Sequence, residues 1–255
     1  MSIVVFIFAG LLAGIGIGLV GISAASIITP MLVALLGFNA YQAIGIALAA
    51  DVFASLISSI IYFKNKNIDI KNGILIMIVT MIATYIASYF AKFIPNDILG
   101  GVSMYMTILL GIKLIIKPIT TPKDSKIKNL SKNKKLALSI ILGLVIGTIC
   151  GTIGTGGGVM LLLALTGFLG YSLKMAVGTS VFIMAFTALT GATAHIIHGG
   201  TNVLALIICV IFAVLGSRTA SRFANKTDNK NLNKVSGVFL ILFGVILLVL
   251  KHIVH

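Results

Sequence analysis

The sequence that decides the fold runs from Gly143 to Gly158 and reads Gly-Leu-Val-Ile-Gly-Thr-Ile-Cys-Gly-Thr-Ile-Gly-Thr-Gly-Gly-Gly. Its first glycines recur every four residues, so they line one face of a helix and allow a neighbouring helix to approach closely. The glycines from Gly154 onward should end that helix, because each costs about 1 kcal/mol relative to alanine in a helix interior. A helix break within an apolar run must be buried by protein or line a polar cavity. We therefore interpret the stretch as half of a binding site.

The same pattern occurs 133 residues earlier, where Gly10, Gly14, Gly18 and Gly21 correspond to Gly143, Gly147, Gly151 and Gly154. In this earlier copy, Ser23-Ala24-Ala25 replaces the triple glycine. The register continues without a gap, and it pairs Gly45 with Gly178 and Gly111 with Gly244. One ungapped register over such a length indicates two copies of a single unit, which is a common plan for secondary transporters.

The composition identifies the class of protein. Of the 255 residues, 59% are hydrophobic and only 9% are charged, whereas a soluble domain carries roughly 25% charged residues. We therefore predict an all-α, polytopic membrane protein whose surroundings are the lipid bilayer. The net charge of +14 comes from lysines in loops between apolar runs, so it indicates topology rather than nucleic-acid binding. The two cysteines lie in apolar runs and predict packing, and we expect no metal and no cofactor.

Two of the apolar runs are too short to cross a membrane. Residues 24–37 and 157–169 follow the two glycine-rich stretches, and fourteen helical residues span only about 21 Å. The hydrocarbon core is about 30 Å thick. We interpret these runs as half-helices or re-entrant segments. The other predicted runs are 3–20, 42–63, 72–92, 98–116, 136–153, 175–197, 202–222 and 233–252.

Loop charge predicts that the two copies lie upside down relative to each other. Loop 64–71 carries three lysines, whereas its counterpart 197–204 has no Lys or Arg. Loop 92–97 has one lysine and one acid, whereas the counterpart region 218–234 is strongly basic. Because basic loops face the cytoplasm, this exchange predicts two inverted-topology repeats with broken or re-entrant helices. The predicted parts are repeat 1 (1–117), a basic cytoplasmic linker (118–135) and repeat 2 (136–255), with both termini outside the cell membrane.

A substrate site is predicted where the half-helices begin, near Ala25 and Gly157. Helix N-termini present unpaired amides and the positive end of the helix dipole, so they bind anions. We expect the two starts to meet near the middle of the bilayer and to bind a small anionic solute. The predicted substrate-binding residues are Ser23, Ser26, Gly154, Thr155, Gly156, Gly157, Gly158, Thr179 and Ser180. The alternative is that the glycines only permit tight packing and the hydroxyls bond the preceding helical turn.

Three further residues are candidates for coupling or gating. Asp51 is an acid well inside an apolar run, where an ionisable residue is a functional hypothesis by default. It could bind a proton or sodium, hydrogen-bond a break in a neighbouring helix, or be a structural acid satisfied by backbone donors. Its counterpart in the second copy is Met184. His195 and His198 lie near a helix end, where they are either an interfacial pair or a pH-sensitive gate.

These residues also carry a family resemblance over nearly the whole chain. The carriers are Gly10 to Gly21 followed by Pro30, the stretch Gly147 to Gly158, Ala176-Val-Gly-Thr-Ser, and His195-x-x-His-Gly-Gly-x-Asn. In these motifs the sequence resembles the sulfite exporter TauE/SafE family of bacterial inner-membrane transporters. The resemblance implies transport of small sulfur-containing anions such as sulfite, thiosulfate or organosulfonates. The first copy departs from the family by having Ser23-Ala24-Ala25 where members often have a glycine-rich run.

The sequence therefore predicts a secondary transporter, most simply an exporter of such anions, that works by alternating access. Two alternatives remain within transport: uptake, or movement of another small solute coupled to protons or sodium through Asp51. The alternative outside transport is a membrane scaffold subunit. Because H-E-x-x-H, G-x-S-x-G and a pair of intramembrane Asp residues are absent from the sequence, we do not expect an enzyme. The oligomeric state stays open.

Overall fold

The computed structural model describes residues 2–91, 132–153, 156–167 and 170–254, together with positions 93, 112, 115 and 116. All regular secondary structure in this part of the chain is helical, which confirms the prediction of an all-α protein. The helices are α1 Ser2–Val20, α2 Ala25–Leu36, α3 Ala40–Lys64, α4 Ile70–Ala91, α5 Lys132–Ile153, α6 Gly156–Gly167, α7 Leu173–Gly199, α8 Val203–Lys226 and α9 Asn229–Val254.

Helix lengths confirm a polytopic membrane protein. Within the described ranges, five helical segments are long and apolar enough to cross a bilayer: Ser2–Val20, Ala40–Lys64, Ile70–Phe90, Leu173–His198 and Val203–Lys226. The two helices predicted to be short, α2 and α6, have 12 residues each. The predicted run 98–116 and most of the linker 118–135 fall outside the described residues. Helix α5 begins at Lys132, inside the predicted linker, because lysine is a good helix former and the last proline of the linker stands ten residues earlier at Pro122.

The first predicted helix break is present. Helix α1 ends at Val20, and the Gly21 amide still donates to the Ile17 carbonyl oxygen over 2.9 Å. Gly21 then adopts a left-handed backbone conformation, with φ of 69°, which few residues other than glycine tolerate. The chain is not helical again until Ala25.

The second short helix begins close to its predicted position. Helix α5 ends at Ile153 and α6 begins at Gly156, while Gly154 and Thr155 lie outside the described residues. The half-helix therefore begins one residue before the predicted start near Gly157, and its first residues are Gly156, Gly157 and Gly158. These glycines form the first turn of α6, where the amides have no intrahelical partners and a glycine disturbs little.

The glycine stripes bring helices from different halves into contact. A β-carbon at Gly14 would overlap the Ala213 carbonyl oxygen of α8, and one at Gly18 would lie 2.7 Å from the Ser217 carbonyl oxygen. In the second half, a β-carbon at Gly147 would lie 2.6 Å from the Thr80 carbonyl oxygen of α4. Residue numbers rise together along each contact, so α1 and α8 run in the same direction, as do α4 and α5.

Helices α3 and α7 form the centre of the structure and run in opposite directions. The start of α3 meets the end of α7, where Gly45 faces His195. The start of α7 meets the end of α3, where Gly178 packs against Tyr62 and the carbonyl group of Asn67. The Tyr62 hydroxyl also donates to the Gly18 carbonyl oxygen over 2.9 Å, which places the end of α3 beside the end of α1.

The close helix contacts predict the effect of adding a methyl group. We expect Gly14→Ala and Gly147→Ala each to lower the free energy of unfolding by about 1–3 kcal/mol, since overpacking forces helices apart. Thermal unfolding of the purified protein measures this. The matched control is Gly167→Ala, because a β-carbon at Gly167 meets nothing within 4 Å. An equal change in the free energy of unfolding in all three variants would contradict these helix contacts.

Candidate functional site

The start of α6 lies against the break in the first half. A β-carbon at Gly158 would overlap the Gly21 carbonyl oxygen and would lie 2.7 Å from the Ser23 amide nitrogen. Gly158 is therefore in backbone contact with the non-helical residues between α1 and α2. Because a side chain at Gly158 would separate the two segments, glycine is needed at this position for a close approach of backbones.

The start of α2 is capped by a carboxylate from another helix. Ala24 makes no side-chain cap of its own. Instead its amide donates to Asp51 Oδ1 over 2.6 Å, and the Ser23 hydroxyl donates to Asp51 Oδ2 over 2.5 Å. The Ala25 amide in turn donates to the Ser23 hydroxyl oxygen over 3.2 Å. Asp51 is 1% exposed, so these donors form much of the environment of its carboxyl group.

This geometry assigns Asp51 a partner that the sequence left open. Of the alternatives considered, the structure shows the hydrogen bond to a break in a neighbouring helix. The positive end of α2, which we expected to be free for a substrate anion, is already occupied by an acidic side chain of the protein. An anion can bind at this helix only if the Asp51 carboxyl group moves or takes up a proton.

The start of α6 has different chemistry. In the ungapped register the counterpart of Asp51 is Met184, a buried methionine on α7 that offers no carboxylate. A β-carbon at Gly157 would lie 3.0 Å from the Sγ atom of Cys150, near the end of α5. The two half-helices therefore begin in unequal surroundings: a carboxylate caps α2, whereas a cysteine lies beside the glycines at the start of α6.

The predicted hydroxyl ligands divide between two places. Ser23 and Ser180 lie at the first break, since a β-carbon at Gly21 would overlap Ser180 Oγ, which donates to the Val177 carbonyl oxygen over 2.8 Å. Ser26 is buried in the first turn of α2. The Thr179 hydroxyl instead accepts a hydrogen bond of 3.0 Å from the Asp69 amide, in the loop between α3 and α4.

The two histidines do not share one environment. His195 is buried, and its ring lies 4.1 Å from the ring of Tyr41. Its Nδ1 and Nε2 atoms are each 3.2 Å from a carbonyl oxygen, of Tyr41 and Gly151 respectively. His198 is exposed and makes an edge contact with Tyr89. His195 is therefore enclosed by protein whereas His198 is not, and their roles as an interfacial pair or a pH-sensitive gate stay predictions. Within the described residues, no three His, Cys, Asp or Glu side chains converge as a metal site would require.

Sequence reasoning missed Tyr62, which occupies in the first half the place that His195 occupies in the second. Tyr62 donates to Gly18 near the end of α1, and His195 reaches Gly151 near the end of α5. Both pairs follow the same shift of 133 residues. The register of 133 residues therefore pairs Tyr62 with His195. Because a tyrosine and a histidine are chemically different, this pair is not recognisable as a repeat from residue identity.

A second polar cluster was also missed, because loop 64–71 was interpreted only as a topology signal. The Tyr171 hydroxyl donates to Asp69 Oδ2 over 2.5 Å, and the Asn72 amide group donates to the same oxygen over 2.6 Å. Partial burial alone would raise the pKa of the Asp69 carboxyl, but the hydrogen bonds from Tyr171 and Asn72 bring that pKa below its ordinary value. Burial, followed by the bond to Asp69, raises the pKa of the Tyr171 hydroxyl.

Comparison with known proteins supports a transporter. A profile of the family described as "Sulfite exporter TauE/SafE" matches residues 6–247. The chain is also 30% identical over 91 residues to the "Probable membrane transporter protein YunE" of Bacillus subtilis (strain 168), a match that spans 36% of this chain and about a third of that relative. The profile covers nearly the whole chain, including both half-helices and Asp51. The protein is a multi-pass membrane protein that belongs to the sulfite exporter TauE/SafE family.

Proposed function

We propose that this protein is a secondary transporter that exports small sulfur-containing anions, of the sulfite, thiosulfate or organosulfonate type, across the cell membrane. The observation that carries the proposal is the contact between the start of α6 and the break at Gly21 to Ser23. Two interrupted helices that meet inside an apolar protein are typical of transporter substrate sites. The family description names sulfite, and amides at a helix start suit an oxyanion.

We also propose that the two halves, 1–117 and 136–255, are inverted repeats joined by the cytoplasmic linker 118–135. Helix directions support this arrangement. Helices α1 and α8 run together. Helix α3 runs with α8, because Ser58 and Asn67 contact Ser221 and Asn225 in rising order, but it runs against α7. If α4 returns from the short loop that follows α3, then α4 and its counterpart α8 also run in opposite directions. Such a pair of repeats can exchange conformations, which is the basis of alternating access, and it places both termini outside.

In the proposed mechanism the anion binds against the first turn of α6, at Gly156 to Gly158. Gly154 and Thr155 directly precede this turn in the sequence. Ser180 packs against Gly21, in the break that α6 contacts. Asp51 stands across the junction as a tethered anion on the start of α2. Its negative charge repels a substrate anion at short range, so we expect proton uptake by Asp51 to accompany anion binding. Asp51 is thereby the coupling residue, and His195 is a second candidate because it contacts the end of α5.

The alternatives differ in what they predict. Uptake instead of export would reverse the direction of net flux without changing the site. A different solute, coupled to protons or sodium through Asp51, would leave sulfur anions without effect on the purified protein. A membrane scaffold subunit would respond only to changes in the glycine stripes that pack α1 on α8, and not to changes where α6 begins.

A panel of anions tests the substrate class. We expect sulfite, thiosulfate or a small organosulfonate to raise the thermal unfolding midpoint of the purified protein, and the same anion to move across proteoliposome membranes. Gly158→Ala should abolish both effects, because its methyl group would push α6 away from Gly21. Gly167→Ala, at the far end of α6 with open space around its β-carbon, should keep them. No stabilisation by any sulfur anion would contradict the assignment.

Substitutions of Asp51 test the coupling role. Asp51→Met copies the second half and leaves the Ser23 hydroxyl and the Ala24 amide without their acceptor, so it should lower the free energy of unfolding by about 1–3 kcal/mol. Asp51→Asn keeps an acceptor for Ala24 but removes the charge.

We expect anion flux through Asp51→Asn to lose the pH dependence that the unmodified protein shows. Asp228→Asn is the control, because Asp228 is exposed and accepts from the Asn231 amide in the first turn of α9. If the Asp51→Asn and Asp228→Asn proteins showed the same pH profile as the unmodified protein, Asp51 would not be the coupling residue.

A further inference from the structure

A hydrogen-bonded junction joins the two halves at the loop between α3 and α4. We call it the Asp69 junction and define it by Asp69, Asn72, Tyr171 and Thr179. Its central bond is the one from the Tyr171 hydroxyl to Asp69 Oδ2, at 2.5 Å. Asn72 supports the carboxylate from within the first half, through its side chain at 2.6 Å and its backbone amide at 3.1 Å. A hydrogen bond to a carboxylate is stronger than one between neutral groups.

Other contacts at the same place also cross between the halves. The Asp69 amide donates to the Thr179 hydroxyl oxygen over 3.0 Å, and the Asn67 side chain donates to Asn225 Oδ1 over 2.8 Å. Gly178 lies so close to the Asn67 carbonyl oxygen that a β-carbon there would overlap it. Loop 65–69 of the first half therefore rests on the start of α7 and the end of α8.

The Asp69 junction is connected to the helix break by a short stretch of α7. Thr179 belongs to the junction, and the next residue, Ser180, packs against Gly21. A movement of loop 65–69 away from α7 would therefore break the hydrogen bond between Asp69 and Thr179. Thr179 adjoins Ser180, which contacts the break. Lys64, Lys66 and Lys71 lie in the same part of the chain as Asp69 and Asn72.

The opposite end of the molecule has no equivalent chemistry at the counterpart positions. The register pairs Asp69 with Asn202, Tyr171 with Phe38, and Thr179 with Ile46. Asn202 Oδ1 accepts from the Ala205 amide of its own helix at 3.0 Å, and Phe38 packs edge-on against Phe6 with ring centres 6.1 Å apart. One end of the pseudo-symmetric fold thus has a charged junction between halves, whereas the counterpart residues at the other end make local and apolar contacts.

We propose that Asp69 and Tyr171 are positioning residues that hold the anion site closed on the side of loop 65–69. For the site to open toward that side, the bond between Tyr171 and Asp69 must break and the loop must leave α7. The identity of the ligand rests on the proposed function, but the opening itself can be measured without any ligand. Because the counterpart residues at the other end make no such bond, opening on the side of loop 65–69 is the step that the hydrogen bond between Tyr171 and Asp69 controls.

A native cysteine provides the reporter. Cys150 is buried and faces Gly157 at the start of α6, whereas Cys209 is buried where α1 packs on α8. In the full-length protein with Cys209→Ala, the rate at which a charged, water-soluble methanethiosulfonate reagent modifies Cys150 measures opening of the site. We expect Tyr171→Phe and Asp69→Asn each to raise this rate roughly ten- to a hundredfold, since one hydrogen bond to a charged group is lost. Asp228→Asn, which alters an acid at the start of α9, should leave it unchanged.

A second reporter separates opening from general loosening of the protein. With Cys150→Ala, only Cys209 can react, and we expect Tyr171→Phe to leave its rate unchanged. Unchanged Cys150 rates in both junction variants, or an equal rise at Cys209, would overturn the proposal. Failure of the proposed function gives a different result, in which the anion panel has no effect while the Cys150 rates still respond to the junction variants.

Discussion

The structure depends on how the backbone amides and carbonyl groups at a helix break find hydrogen-bond partners inside an apolar protein. Lipid offers no hydrogen bonds, so every amide and carbonyl freed at a break needs a partner. At the first break the Ala24 amide is bound by Asp51, and the Gly18 carbonyl oxygen is bound by Tyr62. Both partners lie on one face of α3, eleven residues or about three helical turns apart. Helix α3 therefore fixes the end of α1 and the start of α2 together.

The same backbone arrangement is served by different side chains in the two halves. His195 stands where the first half has Tyr62, Met184 where it has Asp51, and Asn202 where it has Asp69. The glycine contacts are kept in both halves because they set how closely the helices pack. The polar contacts differ. We infer that packing maintains the repeated framework, while the unequal polar residues give the two half-helices and the two ends of the molecule separate roles in transport.

Much of the framework could be predicted from the sequence, because it follows from local spacing. Glycines at four-residue intervals predicted the tight helix faces, and Gly21 predicted the first break. The start of α6 at Gly156 lies one residue before the predicted start near Gly157, because a first helical turn and a break both tolerate glycine. The partners of Asp51 and the bond between Asp69 and Tyr171 could not be predicted, since the latter residues are 102 positions apart and only the packing of α7 on α3 brings them together.

The central claim is that an anion binds where α6 begins, opposite a start of α2 that Asp51 already occupies. The most direct test is an experimental structure of the protein with selenite, the heavier analogue of sulfite, located by its anomalous scattering. The account predicts a selenium peak with oxygen atoms about 3 Å from the backbone amides of Gly156 to Gly158. Selenium found only among the basic loops, or bound at Ala24 with Asp51 still in contact with that amide, would contradict it.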